Sequence, residues 1–232
     1  MSRRIAIITA RGGSKRIPNK NLRLFLGHPI IKYSIDAALF SNLFDEVMVS
    51  TDSDKIASIA LKLGASVPFL RSDKNSDDHA TTSDVIHEVL TEYRKNNILF
   101  DEAVCIYPTA PFLTSSKLID AQNLLKKNSY DTVFPVIPYS FPVQRSLKIE
   151  QSKLKLNQPE FLNVKSQDLI PMYHDAGQFY FFQVKSFLES NQLLNENTGG
   201  LIISELEGQD IDNENDWKLA EMKFKLLNEK DL

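Results

Sequence analysis

Two hydrophobic periods alternate along this chain. Short, β-rich apolar runs occupy positions 4–9, 45–51, 103–107 and 132–136, with a weaker one at 67–70. Such runs read as strands of a covered sheet. Between them the apolar residues fall at helical spacing: Ile30, Tyr33, Ala37 and Phe40 over 29–40, and Val85, Ile86, Val89, Leu90 and Tyr93 over 83–93. Further helices are expected over 53–63, with Ser53 as N-cap and Gly64 as C-terminal stop, and over 115–127. Strands alternating with helices at this spacing imply parallel βαβ units with right-handed crossovers. The expectation is an α/β fold with a mostly parallel sheet, whose ligands sit beyond the carboxyl ends of the strands.

The alternation breaks between 137 and 173, where Pro138, Pro142, Pro159 and Pro171 fall. Two short pieces, 146–149 and 153–156, read as a hairpin. The stretch is expected to be a small β-rich lobe inserted at about 137–173 into a single domain spanning 1–232, and an exposed β-lobe suits pairing with a partner subunit. Alternation resumes with a strand at 178–182, a helix at 185–190, a strand at 201–203 and a last amphipathic helix at 215–227.

Charge adds what periodicity does not. Residues 1–35 hold eight Lys and Arg and no acidic residue, whereas the rest of the chain carries all 30 acidic residues and sums to −11. The net charge of −3 and the locality of the basic charge argue against nucleic-acid binding. No apolar run approaches the ~20 residues of a membrane span, and Ile5–Ile8 is too short for a signal-peptide core. A single cysteine, Cys105, allows no internal disulfide and fits a reducing cytoplasm.

The basic segment centres on Ala10-Arg11-Gly12-Gly13-Ser14-Lys15-Arg16-Ile17-Pro18-Asn19-Lys20-Asn21, a glycine-containing loop directly after the first strand. Two glycines let the backbone approach a phosphate, and Arg11, Lys15, Arg16 and Lys20 can neutralise a polyanion. The spacing matches neither G-x-x-x-x-G-K-[ST] nor G-x-G-x-x-G. In Asp210-Ile211-Asp212, residues two apart share a side of an extended chain, so both carboxylates can reach one hard cation such as Mg²⁺; an acidic turn leading into a helix explains them as well. Arg71 and Ala80-Thr81-Thr82-Ser83-Asp84 offer a cation and hydroxyls that either read a base or cap the helix. The segment from Tyr173 through Tyr180 suits either a sugar-binding surface or a core edge. His28, His79, His87 and His174 have no metal-ligand spacing, and no nucleophile–base arrangement is evident.

These motifs resemble the acylneuraminate cytidylyltransferases, the CMP-sialic acid synthetase family. The likeness is carried by the loop at 10–21, by Ser50-Thr51-Asp52, by Val67-Pro68-Phe69-Leu70-Arg71, by Tyr107-Pro108-Thr109-Ala110-Pro111 and by Asp210-Ile211-Asp212. It implies a three-layer α/β/α Rossmann-like nucleotidyltransferase fold and a reaction of CTP with a nine-carbon 2-keto sugar acid, a nonulosonic acid, giving a CMP-sugar and pyrophosphate. By the family's pattern Ala10, Arg11, Gly12, Gly13, Ser14, Lys15, Lys20, Asn21, Arg71, Ala80 and Thr82 bind the nucleotide. Tyr107, Tyr173, Asp175, Gln178 and Phe179 meet the sugar. Asp210 and Asp212 hold Mg²⁺, while Arg11, Lys20 and Asp212 serve catalysis. The lobe corresponds to the family's dimerisation extension, so a homodimer is implied. Where sialic acid synthetases have Gln before Pro-Thr-Ser-Pro, this chain has Tyr107, which favours a nonulosonic acid other than N-acetylneuraminate; the likeness of the whole sequence implies pseudaminic acid, with legionaminate or N-acetylneuraminate as the alternatives. A binding-only protein on the same fold is the competing class; Asp210, Asp212 and Lys20 together speak against it.

Overall fold

A computed structural model describes residues 2–14, 16–77 and 79–228. Eleven strands and six α-helices are assigned among them. In chain order they are β1 (Arg4–Thr9), β2 (Leu24–Phe25), β3 (His28–Pro29), α1 (Ile31–Phe40), β4 (Glu46–Ser50), α2 (Asp54–Lys62), α3 (Thr82–Lys95), β5 (Glu102–Ile106), α4 (Ser115–Asn128), β6 (Thr132–Pro138), β7 (Leu147–Glu150), β8 (Lys153–Leu156), β9 (Tyr173–Asp175), β10 (Phe179–Gln183), α5 (Val184–Ser190), β11 (Thr198–Ile202) and α6 (Glu214–Asn228). No described helix is long and apolar enough to cross a membrane.

The main sheet runs β11-β6-β10-β5-β1-β4, with β9 on β6. Successive side chains of a strand point to opposite faces, and the core divides accordingly. Ala6 and Ile8 of β1 pack with α1, α2 and α4 through Ile31, Ile35, Ile56, Leu118 and Leu125. Ile5 and Ile7 pack with α3 and α5 through Ile86, Val89, Leu90 and Phe187. The result is the three-layer α/β/α arrangement that the alternation implied.

The pairs β1–β4, β1–β5 and β6–β11 are parallel, whereas β10 is antiparallel to both β5 and β6. Its direction follows from the lobe. The chain leaves β6 at the carboxyl edge, runs through 139–172 and returns at that same edge, so β10 must run back across the sheet. Within the lobe β7 and β8 form a separate two-stranded hairpin.

Two local expectations need correction. No strand forms at 67–70: only Ser66 bridges Met48, and Pro68, lacking an N–H, interrupts the ladder before Arg71 N donates to Thr51 O at 2.8 Å. Among the hydroxyls before α3 the cap is Thr81, so the helix starts at Thr82 and not at 83. The Thr81 hydroxyl accepts from Asp84 N at 3.2 Å while Thr81 N donates to Asp84 Oδ2 at 2.9 Å, a capping box that leaves Thr82 free for other work. Ser53 caps α2 as expected, and Gly64 ends it at φ +91°.

A third apolar cluster matters most for function. Ile17 of the basic loop, Phe25, Ile30, Phe112, Ile211 and Trp217 pack together although they come from the start, the middle and the end of the sequence. Phe25 meets Trp217 edge-on at 5.7 Å. This cluster fastens the loop after β1 to the segment that precedes α6.

Candidate active site

A cavity of about 620 Å³ opens at the carboxyl edge of the sheet, lined by the basic loop, the start of α3, the turn after β5 and the segment before α6. Arg11, Ser14, Arg16, Lys20 and Asn21 line it from the loop, Arg71, Ala80 and Thr82 from the facing wall, and Tyr107, Asp210 and Asp212 complete it. Lys15 lies outside the described residues.

The loop is held in shape by its own polar groups. Gly12 N donates to Asp52 Oδ1 at 2.8 Å, and Asn21 Nδ2 donates to Arg11 O at 2.8 Å. Neither Gly12 nor Gly13 has a positive φ. A Cβ on Gly12 would come 3.3 Å from Ser53 Cβ, so close approach to α2 explains Gly12, while Gly13 faces open space. Ala10, Gly12 and Gly13 do not line the cavity, and Ala10 is fully buried.

Arg71 does two things. Its guanidinium is buried: Nη2 donates to Ser50 O at 2.5 Å and Ala10 O at 3.2 Å, and Nε to Ser50 Oγ at 3.0 Å. It thus satisfies carbonyls at the ends of β1 and β4 while forming part of the cavity wall. Burial lowers its pKa, with Asp52 opposing.

The acidic pair is placed by the residue between its members. Ile211 is fully buried in the third cluster, so Asp210 and Asp212 both turn to the cavity. Lys20 Nζ donates to Ile211 O at 2.6 Å and lies 3.9 Å from Asp212 Oδ1; Arg16 Nη1 is 2.8 Å from Asp212 Oδ2. Burial lowers the pKa of Lys20, offset by Asp212 and Asp210. Burial, and then the charge of Asp212, raise that of Asp210. Two hard oxygen donors that repel each other beside a cationic loop fit a divalent cation shared with phosphate oxygens. Among the described residues no cluster of three or more His, Cys, Asp or Glu suits a metal, so phosphate oxygens and water would complete such a shell.

The residues assigned to the sugar separate. Tyr107 lines the cavity; Tyr173, Asp175, Gln178 and Phe179 do not. Phe179 is wholly buried in the core against β5, and Gln178 Nε2 donates to Glu207 O at 2.6 Å while the Gln178 backbone carbonyl accepts from Tyr107 N at 2.9 Å. Both are buried and stand apart from the cavity lining. Tyr173 is exposed on β9 opposite Pro138. Asp175 Oδ1 accepts from Gly177 N at 2.7 Å, and its other oxygen accepts from the Tyr180 hydroxyl. Thr9, Asn75, Asp77, Val85, Pro108 and Thr109 also line the cavity. Of these, only the position of Thr9, Pro108 and Thr109 at strand ends marked them in the sequence.

Comparison with known proteins shows the family of the chain. A cytidylyltransferase family model matches residues 5–197. A pseudaminic acid cytidylyltransferase of Campylobacter jejuni is 36% identical over 226 residues, covering 97% of each chain. A CMP-N,N'-diacetyllegionaminic acid synthase of Legionella pneumophila is 37% identical over 235 residues, again covering 97% of each. Among solved structures, a CMP:2-keto-3-deoxy-manno-octonic acid synthetase complexed with CTP superposes with a TM-score of 0.71 over 98% of this chain and 100% of the other. At 15% identity that likeness speaks for the fold.

Proposed function

The chain belongs to the cytidylyltransferase family, and from that premise we propose that it joins CTP to pseudaminic acid, releasing pyrophosphate and the CMP-sugar. The observation that carries the reading is the convergence of Arg11, Lys20, Arg71, Thr82, Asp210 and Asp212, drawn from distant parts of the sequence, on one cavity.

The chemistry follows from the wall. Arg11, Ser14, Lys20 and Asn21, with Lys15, would hold the triphosphate, and Arg71, Ala80 and Thr82 would surround the cytidine. Asp210 and Asp212 would hold Mg²⁺, which when bound neutralises charge on the phosphate oxygens. Asp212 accepts the proton of the sugar's C2 hydroxyl as that oxygen bonds to the α-phosphorus. The bond from the α-phosphorus to the bridging oxygen breaks in line, and pyrophosphate leaves with the electron pair. Fixed cations beside the departing oxygens favour the transition state, and holding the two substrates in line contributes much of the rest.

The hairpin supports a homodimer. Register pairs Leu147 with Leu156 and Ile149 with Leu154 on one face, and Leu147, Ile149 and Leu154 are exposed in the single chain. A second copy is the occupant we propose for that face. The lone, buried Cys105 suits a cytoplasmic enzyme.

The 37% identity to the legionaminic acid synthase favours a second sugar reading. One experiment separates all of these. The purified protein is given CTP, Mg²⁺ and, in turn, pseudaminic, legionaminic and N-acetylneuraminic acids, and pyrophosphate is measured. Release with pseudaminic acid well above the others is expected. Preference for another acid replaces the sugar, and no release with any acid makes the chain a binding protein.

A further inference from the structure

Asn75, Asp77 and Ala80 reach the cavity from a stretch between Arg71 and α3 that belongs to no assigned strand or α-helix. Its backbone forms one short 3₁₀ turn at Asp73–Asn75, in which Asn75 N donates to Ser72 O at 3.0 Å and Ser76 N to Asp73 O at 3.2 Å. A single turn fixes several dihedrals for one or two hydrogen bonds, so it needs support from outside.

That support comes from Glu88, half-buried on α3 and outside the cavity lining. Its Oε1 accepts from Ser72 N at 2.8 Å, and its Oε2 accepts from Asn75 Nδ2 at 2.5 Å. One carboxylate thus grips both ends of the turn. Ser72 directly follows Arg71, so the grip begins beside the buried cation of the wall. The helix that carries Glu88 is firmly seated, because Ile86, Val89 and Leu90 are buried with Ile5 and Ile7 of β1. Beyond the turn, Asp77 Oδ1 accepts from His79 N at 2.8 Å and from Ala80 N at 2.9 Å, while Asp77 O accepts from Arg11 Nη1 at 3.3 Å. Loosening the turn would therefore loosen a wall that runs from Arg11 to Ala80.

We propose that Glu88 is a positioning residue for the nucleotide, which touches no ligand but holds Asn75, Asp77 and Ala80 in the shape that receives CTP. Asn75 is the other half of the clamp. The inference rests on the reading of the cavity as a CTP site. Its effect falls on CTP rather than on the sugar acid, because Tyr107, Asp210 and Asp212 come from other segments of the chain. A loop tied to a rigid helix is already ordered when the ligand arrives, and that ordering need not be met from binding energy.

Calorimetric titration of CTP and steady-state kinetics test it. Glu88→Ala should weaken CTP binding about tenfold, while the KM for the sugar acid stays within about twofold. Asn75→Asp sets two carboxylates against each other and should weaken CTP binding by at least as much. Adding Glu88→Gln to Asn75→Asp puts a donor opposite an acceptor again, since the new amide donates to the new carboxylate and its carbonyl keeps Ser72 N. That double variant should bind CTP within about threefold of the wild type. A double variant as weak as Asn75→Asp alone overturns the clamp, and so does unchanged CTP affinity in Glu88→Ala or a loss shared equally with the sugar acid. In the free protein, hydrogen exchange at the Ser72 amide should quicken about tenfold in Glu88→Ala and slow again in the double variant; unchanged exchange in Glu88→Ala also overturns it. A wild type that binds no CTP brings down the functional reading and this proposal together, whereas a wild type that binds CTP beside any of the other failures brings down the proposal alone.

Discussion

Lys20 donates to the carbonyl oxygen of Ile211 at 2.6 Å, across 191 positions of sequence. The basic loop and the acidic pair are thus one unit before any ligand arrives, with Lys20 and Arg16 already facing Asp212. A triphosphate would take over those cations and free the carboxylates for a dication. Burial is the main cause of the lowered Lys20 pKa. Its charge is therefore lost on raising the pH earlier than that of an exposed lysine, whose usual value is 10.5. CTP affinity should fall as the pH climbs into that alkaline range, and Lys20→Arg should move the fall upward, because guanidinium stays charged. Calorimetric titration of CTP against pH measures both; an identical profile for the two proteins would remove Lys20 from the phosphate site.

Asp212→Asn keeps shape and removes a charge. Turnover should drop by about a hundredfold or more, while CTP affinity stays within a few-fold. The exposed ion pair with Arg16 is worth little, so no large loss of stability is expected. Single-turnover kinetics beside a thermal melt provide the check, and near-normal turnover would end the role of Asp212 as base.

Asp210 should show the opposite balance of function and stability. Its pKa in the folded protein is raised, by burial and by Asp212. The folded state therefore holds that proton more tightly than the unfolded chain does. The cost of the ionised form is present above the raised pKa and disappears as the pH falls through it. Asp210→Asn should then melt higher than the wild type at neutral pH, by about 1–2 °C for roughly 0.5 kcal/mol. The gap should close on acidification, with activity lost throughout. Melting curves across pH 4–8 would show it, and a variant less stable at neutral pH would contradict the assignment.

Arg71 shows how much of the site the sequence displayed. It was readable as a cation at a strand end near the nucleotide, but its bonds to Ser50 O and Ala10 O were not, because backbone carbonyls leave no mark in a sequence. The pair Asp210 and Asp212 was legible since alternation about Ile211 is a local property. Thr81 was legible too, through Asp84 three residues on, the spacing of a capping box. The direction of β10 was not, since periodicity carries no sign. The burial of Gln178 and Phe179 was not legible, because polar and aromatic residues before a strand look alike at a sugar surface and at a core edge. For Arg71 the expected outcome is mixed: Arg71→Ala should cost about 2–4 kcal/mol through unpaired buried carbonyls, visible in urea melts without ligand. A variant with wild-type stability and lost CTP binding would make it a nucleotide contact alone.

The third apolar cluster links stability to the acidic pair, and Ile211 is where the two meet. Truncating a buried isoleucine to alanine costs about 2–5 kcal/mol, and to valine about 0.5–1.5. In this chain Ile211 also sets which way its two neighbours face, since it packs with Ile17, Phe25 and Trp217. Ile211→Ala should therefore lower kcat more than global unfolding explains when assayed well below its melting point, and weaken the dependence on Mg²⁺. Ile211→Val should retain both properties. Equal kcat in the two variants, with stability alone changed, would mean that Ile211 fills space without aiming the carboxylates.

The hairpin offers the sharpest test of assembly. Leu147, Ile149 and Leu154 form an exposed apolar face, while Lys148, Glu150 and Lys155 exchange ion pairs on the hairpin. Exposed apolar side chains grouped on one face of a two-stranded ribbon need a partner to leave water. Ile149 and Leu154 stand opposite each other in the register, so replacing both with Glu puts like charges side by side on that face. The double variant should run as a monomer in light scattering where the wild type runs as a dimer, with the same melting of the main sheet by circular dichroism. A dimer that survives the double substitution would place the interface elsewhere on the molecule.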